Sequence, residues 1–319
     1  MSQKLKDRFS TVCRTLHYSL STERQYWDVC RKFVKSIKAQ SEADLLDAAD
    51  VKAGRFLSQM AVNGAAASTH SVALCALVFL YSNVLKNPLG KLQELERPTR
   101  PARLPSVPAS HEETMKLLGQ VSGRSNLILR LIYGDALRVH DALRIRLHDL
   151  DFANDEILIR ASKGDKDRIV PMPKAIRAEL KALADLREAE HLREKREGNG
   201  WVWLPGLMGK KTPSAHFETG WQYLFAAQKE SRDPRSGKLG RHHITPEAIQ
   251  GAMRNACRKM GTRKRFSPHA LRHASARTME KKRVPLASIQ AMLGHANVET
   301  TLRYLGAGTK IAPGVSPLD

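Results

Sequence analysis

His269 and Arg272 stand three residues apart in SPHALRHASARTM, and His295 and Tyr304 follow in LGHANVETTLRYLG. A tyrosine placed among cations can attack a phosphodiester. A free phenol has a pKa near 10, so making phenolate at neutral pH costs about 4 kcal/mol, and a base or a cationic surround must lower that cost. The attack gathers negative charge on the equatorial oxygens, which guanidinium forks stabilise without proton transfer. Arg272 is one such fork, and Arg138 in GDALRVHD is the candidate for the other. The departing 5′ oxygen needs a proton, and Lys163 in SKGDKD is the candidate general acid. A phosphotyrosine bond keeps the energy of the broken linkage available for rejoining, so the chemistry calls for neither metal nor ATP. His269 and His273 are spaced like a zinc pair, but the Glu of an HExxH motif is missing and no third ligand is evident. No metal or other cofactor is expected.

Local signals place these residues on elements. Ser267 as N-cap and Pro268 as first helical residue put His269 and Arg272 one turn apart on one face, near a helix N-terminus that favours an anion. Gly294 stops the next helix just before His295, and Tyr304 falls on a helix that Asn297 caps and Gly306 ends. Arg138 opens a short helix beginning at Val139, after an apolar helix ending near Tyr133. EILIRA and RIVPM read as strands joined at a tight turn marked by Gly164 and Asp165, with Lys163 at its mouth.

Elsewhere, an apolar stripe from Ser21 to Ile37, a helix after Asp50, and a third helix capped by Ser68 make the first ~90 residues a helical bundle. Five prolines between Asn87 and Pro108 alternate with Lys91, Arg97, Arg100 and Arg103, an extended basic linker suited to a phosphate backbone. Ser110 and Glu113 have capping-box spacing and open a second domain. The charged run from Lys174 to Glu197 reads as a helix with a mainly solvated face, and residues 201–243 lack a period, as functional insertions do. Pro246 and Gly261 bracket one more helix.

The formal net charge of +21 points to a polyanion, with nucleic acid the leading partner. A membrane is not expected, because by this reading no apolar stretch approaches the roughly 18 residues needed to span a bilayer. Without an apolar signal core, the protein is expected in the cytosol. The scattered Cys13, Cys30, Cys75 and Cys257 indicate reduced thiols rather than a disulfide framework.

With its Arg in LIYGDALRVHD, Lys in SKGDKDR, then HALRH, LGH and the tyrosine, the chain resembles the tyrosine recombinase (phage-type integrase) superfamily over nearly its whole length. The resemblance implies a mainly α protein with a small antiparallel β-sheet. A helical, SAM-like core-binding domain would occupy residues 1–100, with the linker running to about 108 and a catalytic domain over 109–319. It makes Arg138 and Arg272 the catalytic arginines, Lys163 the general acid, His269 a base-side residue, His295 a third transition-state contact, Tyr304 the nucleophile and Asp141 an acidic support. It also implies a covalent 3′-phosphotyrosyl intermediate, a Holliday junction between two strand exchanges, and a homotetramer on two DNA sites in the bacterial nucleoid, the tail after Tyr304 packing on a neighbouring subunit.

Within the superfamily HYSLSTERQY, AAASTHSVALCALVFLYSNVL, the terminal GVSPLD and above all GWQYLFAAQKESRDPRSGKLGRHH are similar to integron integrases. In those enzymes an extra helical insertion holds extrahelical bases of a folded single-stranded attC site, exchanged with double-stranded attI. Trp221, Pro234, His242 and His243 suit that task, since rings stack on unpaired bases. The departures are Asp135 and Ala136 where relatives commonly have Thr-Gly, which strains a turn and sets a carboxylate near Arg138, and Ser275, Arg277 and Arg283 in place of a Phe and small residues. The competing readings are a general phage-type or chromosome-dimer recombinase, a type IB topoisomerase, and a catalytically decayed DNA-binding relative.

Overall fold

The computed structural model describes residues 3–90, 109–162, 166–205, 208–233, 236–262, 264 and 266–305. The chain is mainly α-helical with small antiparallel sheets, the class expected from the sequence, and it divides into two compact units, Met1–Leu104 and Pro105–Asp319.

The first unit contains α1 (Gln3–Thr15), α2 (Leu20–Ser36), α3 (Glu42–Leu46), α4 (Ala49–Val62) and α5 (Ala67–Phe79). Leu5, Phe9 and Cys13 recur every four residues and so put one face of α1 into a core with Phe33, Leu57, Leu77 and Tyr81. Phe9 meets the Phe79 ring edge-on at 5.1 Å, a favoured aromatic geometry. Beyond α5 the chain continues through a π-helical turn, Leu80–Val84, where the buried Tyr81 hydroxyl donates to the Leu45 carbonyl at 2.8 Å.

Two expectations for this unit are corrected. Ala66, without a side-chain cap, precedes α5, so Ser68 lies inside the helix rather than at its start. The 18 residues Ala67–Val84 are long and apolar enough by composition to cross a membrane, because the π turn prolongs α5. Ala73, Ala76, Leu77, Leu80 and Tyr81 of that stretch pack in the unit's core.

The second unit opens on α6 (His111–Leu118) with the expected capping box: Ser110 Oγ accepts from Glu113 N at 3.1 Å, and Glu113 Oε2 accepts from Ser110 N at 2.8 Å. Next come α7 (Gly123–Gly134), α8 (Val139–Leu143), β1 (Leu150–Asp151), β2 (Glu156–Ser162) and β3 (Lys166–Pro171), the strands forming an antiparallel β1-β2-β3 sheet. Alternation turns Ile157, Ile159 and Val170 onto the core that also holds Leu127, Ile128, Ile132, Phe225, Ile249 and Leu271, while Ile169 faces outward. The remaining helices are α9 (Arg177–Arg196), α10 (Met208–Lys211), α11 (Pro246–Lys259), α12 (Pro268–Lys281), α13 (Leu286–Leu293) and α14 (Val298–Leu305). A smaller core of Ala136, Ala276, Ile289, Leu293 and Leu305 packs α13 and α14 beside α12.

Two further corrections concern the region after α9. Residues 220–243, helical by resemblance, contain a 3-10 turn at Thr219–Trp221 and a two-stranded ribbon, β4 (Ser231–Arg232) with β5 (Leu239–Gly240). Asp233 accepts from Ser236 N at 2.8 Å and Gly237 turns back at φ +72°, so the chain reverses where a helix would run on. Gly240 allows the ribbon to touch Trp201, since a Cβ there would lie 2.5 Å from the indole. The expected solvated face of α9 is also partly covered: Arg187 and His191 are buried. Arg187 pairs with Glu194 at 2.9 Å and Glu190 at 3.3 Å, Arg241 reaches Glu194 at 2.8 Å, and Gln222 accepts from Arg187 at 3.4 Å. The charges that look solvent-seeking in sequence instead hold residues 201–243 against α9.

Candidate active site

Ala136 turns the chain before α8 at φ +49°, the strain expected where a glycine would relax. That turn aims the Ala136 carbonyl at α12 and leaves Arg138 as the N-cap residue of α8. Asp141, one turn on, accepts from Arg138 N at 3.4 Å, lies 3.8 Å from Arg138 Nη1, and is 2.8 Å from Arg168 Nη2. The buried Asp135 is pushed well above the usual carboxylate range by burial, which the charge of Arg168 offsets only in part. The cation whose charge acts on Asp135 is Arg168.

Ser267 Oγ accepts from Ala270 N at 3.1 Å and Pro268 fills the first turn, so α12 starts where the sequence predicts. His269 is exposed on that turn, its ring meeting His273 edge-on at 4.8 Å. Arg272, one turn further, is only 1% exposed. Its Nη1 donates to Ala136 O at 2.7 Å, and its Nη2 donates to Leu293 O and meets His295 Nε2 at 3.2 Å. One guanidinium thus ties the turn before α8 to the end of α13.

Gly294, at φ +58°, reverses the chain after α13 and presents His295. The Gln290 side chain donates to His295 O at 3.0 Å, and His295 Nδ1 lies 3.1 Å from Thr301 Oγ1. Burial, then Arg272 and Arg138, push His295 down to about 4. The ring is neutral at pH 7, accepting from Arg272 at Nε2 and donating to Thr301 from Nδ1. Nε2 thus engages Arg272 and Nδ1 engages Thr301. Burial, Arg272 and Arg138 also lower His269, leaving an uncharged imidazole able to take a proton. Thr301 is fully buried on α14, whose first turn is capped by Asn297 Oδ1 accepting from Glu299 N at 2.9 Å. Position 304 lies three residues after Thr301 on α14.

Arg138, His269, Arg272, His295 and Asp141 are thus brought together around α12, and the backbone of Tyr304 lies on a helix packed against α12. Lys163, Pro234, Arg97, Arg100, Arg103, Gly306 and the Tyr304 side chain fall outside the described residues. Trp221 is half-buried, with Arg146 and Arg160 each 5.5 Å from its ring, and His148 against its edge. His242 is exposed, whereas His243 is buried with Nδ1 2.7 Å from Ile244 O, which sets His243 inside the fold rather than on a stacking surface. Sequence reasoning missed Arg168, Thr301 and Gln290. Arg168 shares the inward face of β3 with Val170, so alternation puts a cation at a position that demands partners.

Burial lowers His140, His191, His242, His243, His269 and His295, with His243 and His295 near 4. Each binds its proton more weakly folded than unfolded, so its contribution is complete above the ordinary value near 6.5 and is lost as pH falls below it, down to about 4 for His243 and His295. The raised Asp135 works in the opposite sense, contributing stability that is lost as pH rises. The thermal midpoint of the second unit is expected to fall steadily between pH 7 and pH 4.5, measured by calorimetry on the full chain. A midpoint unchanged across that range would contradict these histidine environments.

Residues 110–309 match the phage integrase family, and residues 5–91 match the phage integrase N-terminal SAM-like domain. An integrase/recombinase of Escherichia coli is 35% identical over 100% of this chain and 94% of its own length. The tyrosine recombinase XerA of Pyrococcus horikoshii is 24% identical over 97% of this chain and 91% of its own. Among solved structures, a lambda integrase dimer bound to a COC' core site superposes with a TM-score of 0.60 at 14% identity, covering 98% of this chain and 79% of that one. XerH bound to a difH substrate in a pre-cleavage complex gives 0.58 at 21% identity, over 97% and 81%.

Proposed function

Because the chain belongs to the phage integrase family and is a tyrosine site-specific recombinase, a DNA strand transferase, we propose that Tyr304 attacks the scissile phosphate of DNA. The covalent 3′-phosphotyrosyl link then allows rejoining. Arg138 and Arg272 neutralise the charge on the phosphorus oxygens, His269 takes the phenolic proton, and Lys163 gives a proton to the 5′ oxygen. Asp141 orients Arg138, and His295, which meets Arg272, is a third contact to the transition state. The observation that carries this reading is the buried Arg272, joined to the Ala136 and Leu293 carbonyls and to His295, with the charge of Arg138 acting on the same two histidines. The helical unit, 1–100, and the basic linker with Arg97, Arg100 and Arg103 bind the DNA backbone, the catalytic unit, 109–319, cuts and rejoins it, and four protomers assemble on two sites in the nucleoid.

The finer role is that of an integron integrase, integrating and excising gene cassettes between double-stranded attI and folded single-stranded attC. It rests on the likeness of residues 220–243 and on the exposed His242 and half-exposed Trp221. A general phage-type or chromosome-dimer recombinase fits the family membership equally, and the ribbon at residues 231–240 with the buried His243 favours it. Recombination of one attI duplex with the same attC sequence supplied as folded strand or as duplex decides between them. An integron integrase prefers the folded strand; equal use of both forms, or preference for the duplex, assigns the general role.

A further inference from the structure

We propose that Arg168 is a positioning residue that holds Arg138, through Asp141, and the Gly294–His295 turn in register with β3. The inference rests on the active-site reading above. Arg168 Nη2 is 2.8 Å from Asp141 Oδ2, and the pair is nearly desolvated, with side chains 11% and 7% exposed. The same carboxylate oxygen lies 3.8 Å from Arg138 Nη1 and accepts from Arg138 N, so the closer cation fixes it for the farther one. Arg168 Nε donates to Met292 O at 3.2 Å, one residue before the Leu293 carbonyl that receives Arg272. Its guanidinium also lies directly under Gly294, where an added Cβ would come within 3.1 Å of Nη1. One planar fork therefore joins the start of α8, the end of α13 and the sheet.

Lysine keeps the charge but, with a single ammonium, cannot reproduce the fork that reaches Asp141 and Met292 at once. Arg168→Lys thus separates positioning from charge. A small displacement of Arg138 weakens the transition state far more than it weakens DNA binding, since misplacement by about 1 Å can cost roughly 10²-fold in rate.

The test measures single-turnover cleavage of a nicked suicide duplex by the full chain. One substrate carries the ordinary scissile phosphodiester, the other a methylphosphonate, in which a methyl group replaces a charged oxygen and reduces the need for guanidinium neutralisation. Arg168→Lys is expected to bind DNA within about threefold of the parent and to cleave the ordinary linkage roughly 10²-fold more slowly. On the methylphosphonate the deficit shrinks at least tenfold, and Asp141→Asn, which removes the intermediate charge, follows the same pattern. An equal deficit on both linkages, or none on either, overturns the proposal, because a merely structural arginine does not discriminate between substrates. Should Arg168→Lys not fold, Asp141→Asn decides by the same ratio. If the parent chain forms no Tyr304-dependent adduct, the active-site reading fails instead.

Discussion

Replacing Arg272 by alanine is expected to slow strand cleavage by about 10² to 10³-fold and to destabilise the second unit at the same time. The rate loss follows from removing a fork aimed at developing phosphate charge, and deleting one such donor costs about 10² to 10³ in rate. The stability loss follows from what Arg272 does without substrate. It is 1% exposed, and its donors satisfy the carbonyls of Ala136 and Leu293 while its Nη2 meets His295. Each carbonyl left buried and unmatched costs about 1–3 kcal/mol, so the two together cost on the order of 2–6 kcal/mol. Arg272→Lys recovers the charge but not the two-carbonyl geometry, and is expected to restore less than a tenth of the lost rate. Single-turnover cleavage and calorimetry on the same preparations check both halves. Full stability with lost cleavage would contradict the framework role, and the reverse would contradict the catalytic one.

The second large effect lies away from the chemistry. Arg187 is buried on α9 between Glu190 and Glu194, and Arg241 from the insertion shares Glu194. Burial alone would raise Glu194, but the hydrogen bonds and charges of Arg187 and Arg241 outweigh it and hold the carboxyl below its usual range. Removing one partner of such a cluster leaves an uncompensated buried charge, at about 3–5 kcal/mol. Arg187→Ala is therefore expected to lower the thermal midpoint by roughly 6–20 °C, given about 2–4 °C per kcal/mol for a unit of this size. In a Glu194→Gln background the same substitution should cost distinctly less, because the two effects share one interaction. Additive losses would mean that the cluster is not the attachment of residues 201–243.

These two arginines show what could be read from the sequence and what could not. Arg272 was legible because Ser267 and Pro268 fix the start of α12, and helical period then sets its face. The glycine at 294 likewise marked the turn that presents His295. Arg187 was not legible, because a charged residue among charged helical neighbours has the pattern of a solvated face. Its burial depends on residues 201–243, which carry no period and fold over α9 through contacts such as Gln222 to Arg187 and His191 to the Phe217 carbonyl. The apolar stretch Ala67–Val84 reaches membrane length because the π turn at Leu80–Val84 carries the helix on past Phe79. Trp221 illustrates the remaining ambiguity of composition, since a ring suited to stacking on a base is equally suited to Arg146, Arg160 and His148 of its own chain.

The central claim is that a single phenol takes over the scissile phosphate. Trapping the full chain on a nicked suicide duplex, then digesting the adduct and locating the nucleotide-bearing peptide by mass, tests it directly. The account predicts a 3′-phosphate carried by Tyr304 in the peptide containing TLRYLG, and no adduct with Tyr304→Phe. An adduct on any other residue, or one that survives Tyr304→Phe, would contradict it.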